Sequence, residues 1–116
     1  CVMDPWYPLG SHDMLEVAHM GAHCLQMMGA SQLETIFEMI TTRGAEVMKL
    51  QEYGIKVGNP ADCVILQAGG VMESLRLRPN RLAVFRRGQL IASSPETLSS
   101  VQLGGKETSV SFSRAE

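Results

Sequence analysis

Midway along the chain, helical patterning stops and strand patterning begins, and this change constrains the fold more than any other feature. Gly54 follows the last helical repeat, and Gly58-Asn59-Pro60 supplies turn chemistry. Residues 63–66, Cys-Val-Ile-Leu, then form a short apolar run of the kind found in buried strands. The sequence therefore predicts an α/β chain with a helical first half and a β-rich second half.

Three helices are predicted before the turn, because each has a start signal followed by an apolar stripe. The candidate caps are Ser11 or Asp13 for the first helix, Ser31 for the second, and Thr41 or Thr42 for the third. Glu16 and Glu34 stand at capping-box spacing, and Gly29 is expected to end the first helix. The residues predicted to face the core are Met14, Val17, Ala18, Gly21, Ala22, Leu25, Met28, Leu33, Ile36, Phe37, Ile40, Ala45, Met48 and Leu50.

The second half has several strand signals but too few strands for a closed core. Residues 71–77 could form one or two helical turns, and residues 82–85 and 89–92 flank Arg86-Arg87-Gly88 as a hairpin. Beyond Pro95, weak alternation at Val101/Leu103 and Val110/Phe112 allows one or two edge strands or a loose tail. Because isolated strands leave edges that invite pairing, partner strands are expected from sequence outside this chain.

Composition excludes several functional classes. The chain has 116 residues, a hydrophobic fraction of 45% and a net charge of −2, which is typical of one small globular unit without a long-range field for nucleic acid or an anionic membrane. It has three cysteines without C-x-x-C spacing and eight methionines, which favours a reducing cytoplasm. No apolar run approaches the ~20 residues of a membrane-spanning helix. A cytoplasmic location is therefore expected.

No catalytic constellation follows from the residues alone. His19 and His23 have the i, i+4 spacing of H-x-x-x-H metal sites, but the glutamate of H-E-x-x-H is absent, and such pairs are also typical of solvent-facing or packed histidines. Cys1 could be a nucleophile, yet nothing supplies its base. Arg76, Arg78, Arg81, Arg86 and Arg87 could bind an anion or could be solvated loop residues. Asp4 and Asp13 are interpreted as turn and cap.

One long stretch resembles the metal-dependent amidohydrolase superfamily. Its matching residues are Thr42, Leu50, Tyr53-Gly54-Ile55, Val57-Gly58, Ala61-Asp62 and Val64-Ile65-Leu66, with Arg87-Gly88-Gln89-Leu90-Ile91 as the closing hairpin. The resemblance implies the C-terminal end of a TIM-type barrel, mainly helical here, plus part of a small composite β-sandwich. Residues 1–50 would be the last loop and helices of the barrel, and residues 51–116 the contribution to the sandwich.

A second stretch is similar to bacterial cytosine deaminase after its last barrel strand. It comprises Val2-Met3-Asp4-Pro5-Trp6-Tyr7-Pro8-Leu9-Gly10, Met14-Leu15-Glu16-Val17 and His19-Met20-Gly21. The resemblance implies an enzyme that deaminates cytosine or a related cyclic amidine, with a divalent iron or zinc ion activating water. The metal ligands would lie upstream of Cys1, so we expect no metal ligand and no catalytic residue in this chain, and the chain alone should be inactive.

The same resemblance assigns two substrate-binding residues, Trp6 and Cys1. Trp6 falls where the family places an aromatic side chain lining the pocket, and Cys1 falls where cytosine deaminase has an acidic residue that touches the pyrimidine. A neutral thiol cannot accept a ring N–H as a carboxylate does, which costs roughly 1.5–3 kcal/mol. Purine, triazine or creatinine-type lactam substrates are therefore alternatives to cytosine.

Two further functions compete with deamination. One is the opening of a cyclic amide, as in dihydroorotase- or hydantoinase-like enzymes, against which Asp4-Pro5-Trp6 argues. The other is a non-catalytic interaction module, in which the helices and hairpin form a docking surface. The expected partners are a small nitrogen heterocycle and the barrel and sandwich segments outside this chain, with no nucleic acid and no membrane. Further copies of the protein in a homo-oligomer are an additional candidate.

Overall fold

The structure is a computed structural model that describes residues 3–111, and within them it has four helices and five strands. In chain order the elements are α1 (Met14–Cys24), α2 (Ala30–Met39), α3 (Thr42–Val47), β1 (Cys63–Leu66), α4 (Val71–Leu77), β2 (Arg81–Arg86), β3 (Gln89–Ser93), β4 (Ser99–Leu103) and β5 (Lys106–Val110). The helical first half and β-rich second half are thus confirmed.

The helix starts follow the cap signals only in part. The Asp13 carboxylate accepts a hydrogen bond from the backbone N–H of Leu15 at 2.8 Å, as predicted for the cap of α1. The prediction that α1 runs to Gly29 is wrong, because Gln26 already takes a left-handed conformation with φ 56°. Gly29 instead caps α2, and its N–H donates to the Gln32 side chain at 2.9 Å. The predicted Ser31 cap lies inside α2, because the N-cap is Gly29, two residues earlier, whose own N–H is accepted by the Gln32 side chain.

The core is small and is shared between both halves of the sequence. Its buried members are Leu15, Ala18, Ala22, Ile36 and Leu75, with Met27, Leu33, Phe37, Ile40, Leu66 and Val71 packed against them. The narrow alanine stripe of α1 allows α2 and α4 to approach closely, so the predicted apolar contacts of Met14, Leu25 and Met28 are not made and these side chains are exposed. In α3 only Ala45 is buried, and Met48 is exposed.

The segment between α3 and β1 is closed by two side chains of the turn motif. Asn59 donates from its amide to the carbonyls of Tyr53 at 3.2 Å and Gly54 at 3.1 Å, while Gly54 and Gly58 supply positive φ angles of 98° and 96°. The Asp62 carboxylate accepts the backbone N–H of Arg87 in the hairpin turn. This motif therefore closes a loop and fixes the β2–β3 turn against β1.

The strands form two separate antiparallel sheets. The first has the order β1-β2-β3, with Val64 opposite Val84 and Val84 opposite Ala92. Its tight turn uses Arg87 and Gly88 with φ angles of 49° and 76°, which suits a two-residue hairpin. The second is the β4–β5 hairpin, so the tail contains two strands as far as residue 111; the predicted contribution of Phe112 lies outside the described residues.

Side-chain amides, not strand pairing, join the second sheet to the first. Gln67 donates to the Thr97 carbonyl at 3.0 Å and accepts from the Thr97 N–H at 2.8 Å. Asn80 donates to the Thr97 hydroxyl at 2.8 Å and to the Pro95 carbonyl at 3.3 Å. We call Gln67, Asn80 and Thr97 the amide clamp. None of the helices within residues 3–111 has the length and apolar character needed to cross a membrane.

Candidate functional site

The loop before α1 presents the one described residue that was predicted to contact substrate. Asp4 accepts the backbone N–H groups of Trp6 at 2.8 Å and Tyr7 at 2.9 Å, and its own N–H donates to the Tyr7 carbonyl at 3.1 Å. Short acidic side chains stabilise turns in this way, so the turn interpretation of Asp4 is confirmed. Trp6 stands at the apex of this turn and is 93% exposed.

An indole this exposed gains nothing from burial within the chain. Burying a tryptophan side chain removes 150–250 Å² from water, which is a large contribution in a core or an interface. The loop holds the backbone of Trp6 while leaving both faces of its ring open. Cys1, the other predicted substrate-binding residue, lies outside the described residues, and its role remains a prediction.

Two ion pairs fix the base of this loop to the β-rich half. Asp13 pairs with Arg81, and Glu16 pairs with Arg78 at 3.0 Å. Asp13 thus links the start of α1 to the start of β2, and Glu16 links α1 to the end of α4. Sequence reasoning missed these pairs; the signal was available as two acids in the first turn of a helix and an arginine cluster otherwise without a role.

Three of the five arginines in the cluster are ion-pair partners of nearby acids, while Arg76, Arg86 and Arg87 are solvent-exposed. Arg78 and Arg81 contact acids of α1, and Arg86 lies 3.3 Å from Asp62. Each carboxylate neutralises one guanidinium, which removes the unbalanced positive charge that an anion site requires.

The histidines of α1 form a contacting pair. The ring centroids of His19 and His23 are 4.7 Å apart at an interplanar angle of 66°, and His19 Nδ1 lies 3.1 Å from the Leu75 carbonyl oxygen. Across residues 3–111 there is no cluster of three or more histidine, cysteine, aspartate or glutamate side chains that could hold a metal ion. The described residues accordingly do not supply a catalytic metal centre of the amidohydrolase type.

An open cavity of about 840 Å³ lies elsewhere, between the amide clamp and the β4–β5 hairpin. Its lining includes Gln67, Asn80, Ser100 and Glu107, and it does not include Trp6. Two of these four residues are already bonded in the clamp, and Ser100 donates to Glu107 at 2.7 Å. The cavity is thus the gap beneath the hairpin, and within residues 3–111 its lining does not include the predicted substrate-binding residue.

The chain exposes far more surface than a self-contained protein of its mass. Its accessible surface is 9167 Å² for 12.7 kDa, whereas size scaling gives about 6,200 Å². The radius of gyration is 16.8 Å, against about 13 Å for a compact domain of this length. The exposed apolar side chains include Trp6, Val47, Ile55, Val57 and Leu98.

Comparisons with known proteins agree on one family. A model of the amidohydrolase family matches residues 1–98. N-isopropylammelide isopropyl amidohydrolase from Pseudomonas sp. (strain ADP) is 33% identical over 91 residues, which are 78% of this chain and 23% of that protein. The solved structure of 5-methylcytosine deaminase from Klebsiella pneumoniae with phosphonocytosine superposes with a TM-score of 0.78 at 30% identity, covering 84% of this chain and 24% of that one.

A second solved structure gives the same result. N-isopropylammelide isopropylaminohydrolase from Burkholderia multivorans ATCC 17616 has a TM-score of 0.76 and 34% identity, covering 79% of this chain and 24% of that one. The chain thus spans about a quarter of the length of the relatives it matches. The mixed arrangement of helices and small antiparallel sheets is structurally similar to that of these enzymes.

Proposed function

Because the chain belongs to the amidohydrolase family, we propose that it is part of a hydrolase that cleaves a C–N bond and releases an amine from a cyclic amidine or aminopyrimidine such as cytosine. The observation that carries this proposal is the match to 5-methylcytosine deaminase, with a TM-score of 0.78 over 84% of the chain. The other relatives, which act on N-isopropylammelide, support amine release from a nitrogen heterocycle.

The unusual exposure of the chain supports its place in a larger enzyme. The accessible surface of the chain, 9167 Å², exceeds the scaling expectation by about 3,000 Å². This excess is comparable with the area buried in large permanent protein interfaces. We propose that barrel and sandwich segments outside this chain cover it. This proposal includes the barrel, the composite sandwich and a boundary between residues 50 and 51. The contact of α4 with α1 and α2 means that the two segments share a core whichever boundary is drawn.

The catalytic metal also belongs to the parts of the enzyme outside this chain. The family resemblance implies a divalent iron or zinc ion, but residues 3–111 offer no cluster of ligands for it. We therefore assign the described residues no step in water activation. Their contribution is to shape the substrate pocket and to anchor the loop that carries Trp6.

We propose that the Trp6 ring packs against the flat heterocycle of the substrate. Its exposure leaves an aromatic face available, and the two backbone hydrogen bonds to Asp4 limit the motion of the loop. Aromatic pairs contribute about 0.5–1.5 kcal/mol beyond area burial. Stacking discriminates weakly among planar rings, so it suits pyrimidine, purine or triazine substrates, and Cys1 would help to select among them.

The proposal is tested with the intact enzyme that contains this chain. We expect release of ammonia or alkylamine from at least one of cytosine, 5-methylcytosine and N-isopropylammelide, and none from the chain alone. Trp6→Ala should lower kcat/KM by at least about tenfold, which corresponds to 1.4 kcal/mol, because both the stacking and the buried area are lost. Trp6→Phe should retain most of the activity. Glu96→Ala, which truncates an exposed polar side chain outside the loop, is the matched control.

The same assay separates the competing functions. Ring opening of dihydroorotate or hydantoin without amine release would favour the cyclic-amide function over deamination. Activity in none of these reactions, together with capture of a defined protein partner, would favour the interaction module, which the family match does not support. A cytoplasmic location and self-association remain predictions.

A further inference from the structure

We propose that His19 and His23 form a two-histidine binding site for a divalent transition-metal ion on the side of α1 that borders α4. The two residues stand four positions apart in one helix, so their side chains project from the same side about one turn apart. His23 is exposed and His19 is half-buried. This proposal rests on the geometry of the pair and does not depend on the proposed deaminase function.

The bond to Leu75 orients His19 as a ligand. A backbone carbonyl can only accept a hydrogen bond, so the Nδ1 of His19, 3.1 Å from the Leu75 oxygen, must carry the proton. In the neutral ring the lone pair is then on Nε2. Metal-binding histidines typically donate their second ring N–H to a carbonyl or carboxylate in this way, which fixes both tautomer and ring orientation. The contact comes from α4, 56 residues away in sequence.

The separation of the rings fits a shared ion. With metal–nitrogen bonds of about 2.1 Å and angles between 90° and 109°, two imidazole centroids bound to one ion lie roughly 4.6–5.3 Å apart. The observed centroid separation is 4.7 Å. The rings are therefore close enough to share an ion: His19 would keep its bond to Leu75, the exposed His23 ring would turn to direct its Nε2 to the same ion, and water would complete the coordination.

The local charge does not oppose a cation. Arg78 is the charged group that approaches this side of α1 near Glu16, and its guanidinium is neutralised by the Glu16 carboxylate at 3.0 Å. Within residues 3–111, His23 has no hydrogen-bond or ion-pair partner that a metal ion would have to displace. Two neutral imidazoles favour ions of the zinc, nickel and copper class over magnesium or calcium.

The test is a Zn²⁺ titration of the full chain under reducing conditions. Calorimetry measures the affinity and stoichiometry, and NMR of the imidazole nitrogens identifies the ligands. We expect one equivalent to bind, with coupled changes in the His19 and His23 resonances. His23→Ala should weaken binding at least tenfold, because loss of an outer-sphere partner alone costs 10–100-fold. Since His23 is exposed, this variant should fold normally, which circular dichroism verifies.

Two matched variants make the result decisive. His12→Ala removes the remaining histidine and Cys24→Ser removes the exposed thiol beside His23, and both should leave Zn²⁺ binding unchanged. Absence of saturable binding to the folded chain, or an unchanged affinity in His23→Ala, would overturn the proposal. Loss of binding in Cys24→Ser but not in His23→Ala would assign the ion to the thiol, with the same consequence.

Discussion

Asp13 makes two contacts whose free energies can be separated by substitution. Its carboxylate caps α1 through the Leu15 N–H and pairs with Arg81 at the start of β2. A helix cap contributes about 1 kcal/mol. The ion pair is only partly exposed, with side-chain exposures of 32% for Arg81 and 22% for Asp13, so about 1 kcal/mol is expected, at the upper end of the range for surface pairs.

We therefore expect Asp13→Ala to lower the free energy of unfolding by about 2 kcal/mol. Asp13→Asn should cost about half as much, because the amide oxygen still caps the helix while the charge is lost. Urea denaturation followed by helical circular dichroism measures both values. A double-mutant cycle with Arg81→Gln isolates the pairwise term.

The control is Glu38→Gln, which removes an exposed pair on α2 with Arg43. Those side chains are 57% exposed for Arg43 and 47% for Glu38, so the change should stay within about 0.5 kcal/mol. Equal losses in Asp13→Ala and Asp13→Asn would show that the cap contributes nothing. No loss in Asp13→Asn would show that α1 is not held to β2 by charge.

Core and glycine substitutions test the packing. Ile36→Ala should destabilise the fold by about 3 kcal/mol, since Ile36 is 2% exposed. Ile55 is 92% exposed, so Ile55→Ala should change the free energy of unfolding by less than about 0.5 kcal/mol. Similar losses in the two variants would contradict the assigned core. Gly21→Ala should stabilise α1 by about 0.5–1 kcal/mol, because a Cβ there meets nothing within 4 Å. Gly44→Ala should destabilise by about 1–3 kcal/mol, as its Cβ would lie 2.9 Å from the Met39 carbonyl oxygen. Thermal denaturation measures all four, and a stabilised Gly44→Ala would refute the close contact.

The sequence predicted most elements because their signals are local. The Arg87-Gly88 turn between two apolar runs was sufficient for the β2–β3 hairpin, and the Asp13 cap for the start of α1. The end of α1 was misjudged because Gly29 suits either a helix end or a helix start, and only the Gln32 side chain three residues later decides between them. Gly29 starts α2 because the Gln32 side chain accepts the backbone N–H of Gly29.

Contacts between distant residues could not be predicted in the same way. The ion pairs of Asp13 and Glu16 depend on where α4 and β2 pack, and the amide clamp depends on a chain crossing 30 residues downstream of Gln67. On the inner side of α1, Ala18 and Ala22 are buried as predicted, whereas Leu15 was missed and Met14, Leu25 and Met28 were wrongly placed in the core. The large apolar side chains carry a stronger hydrophobic signal than the alanines that the packing uses. Close helix packing favours the smaller residues.

The amide clamp has a consequence for how this protein can diverge. The Gln67 side chain bonds to the backbone N–H and carbonyl of Thr97, which every residue type except proline provides. This half of the junction therefore imposes almost no sequence requirement on the segment attached there. A different hairpin, or a longer extension, could replace β4 and β5 in evolution or by grafting while the first sheet stays intact. The family match ends at residue 98, next to this junction.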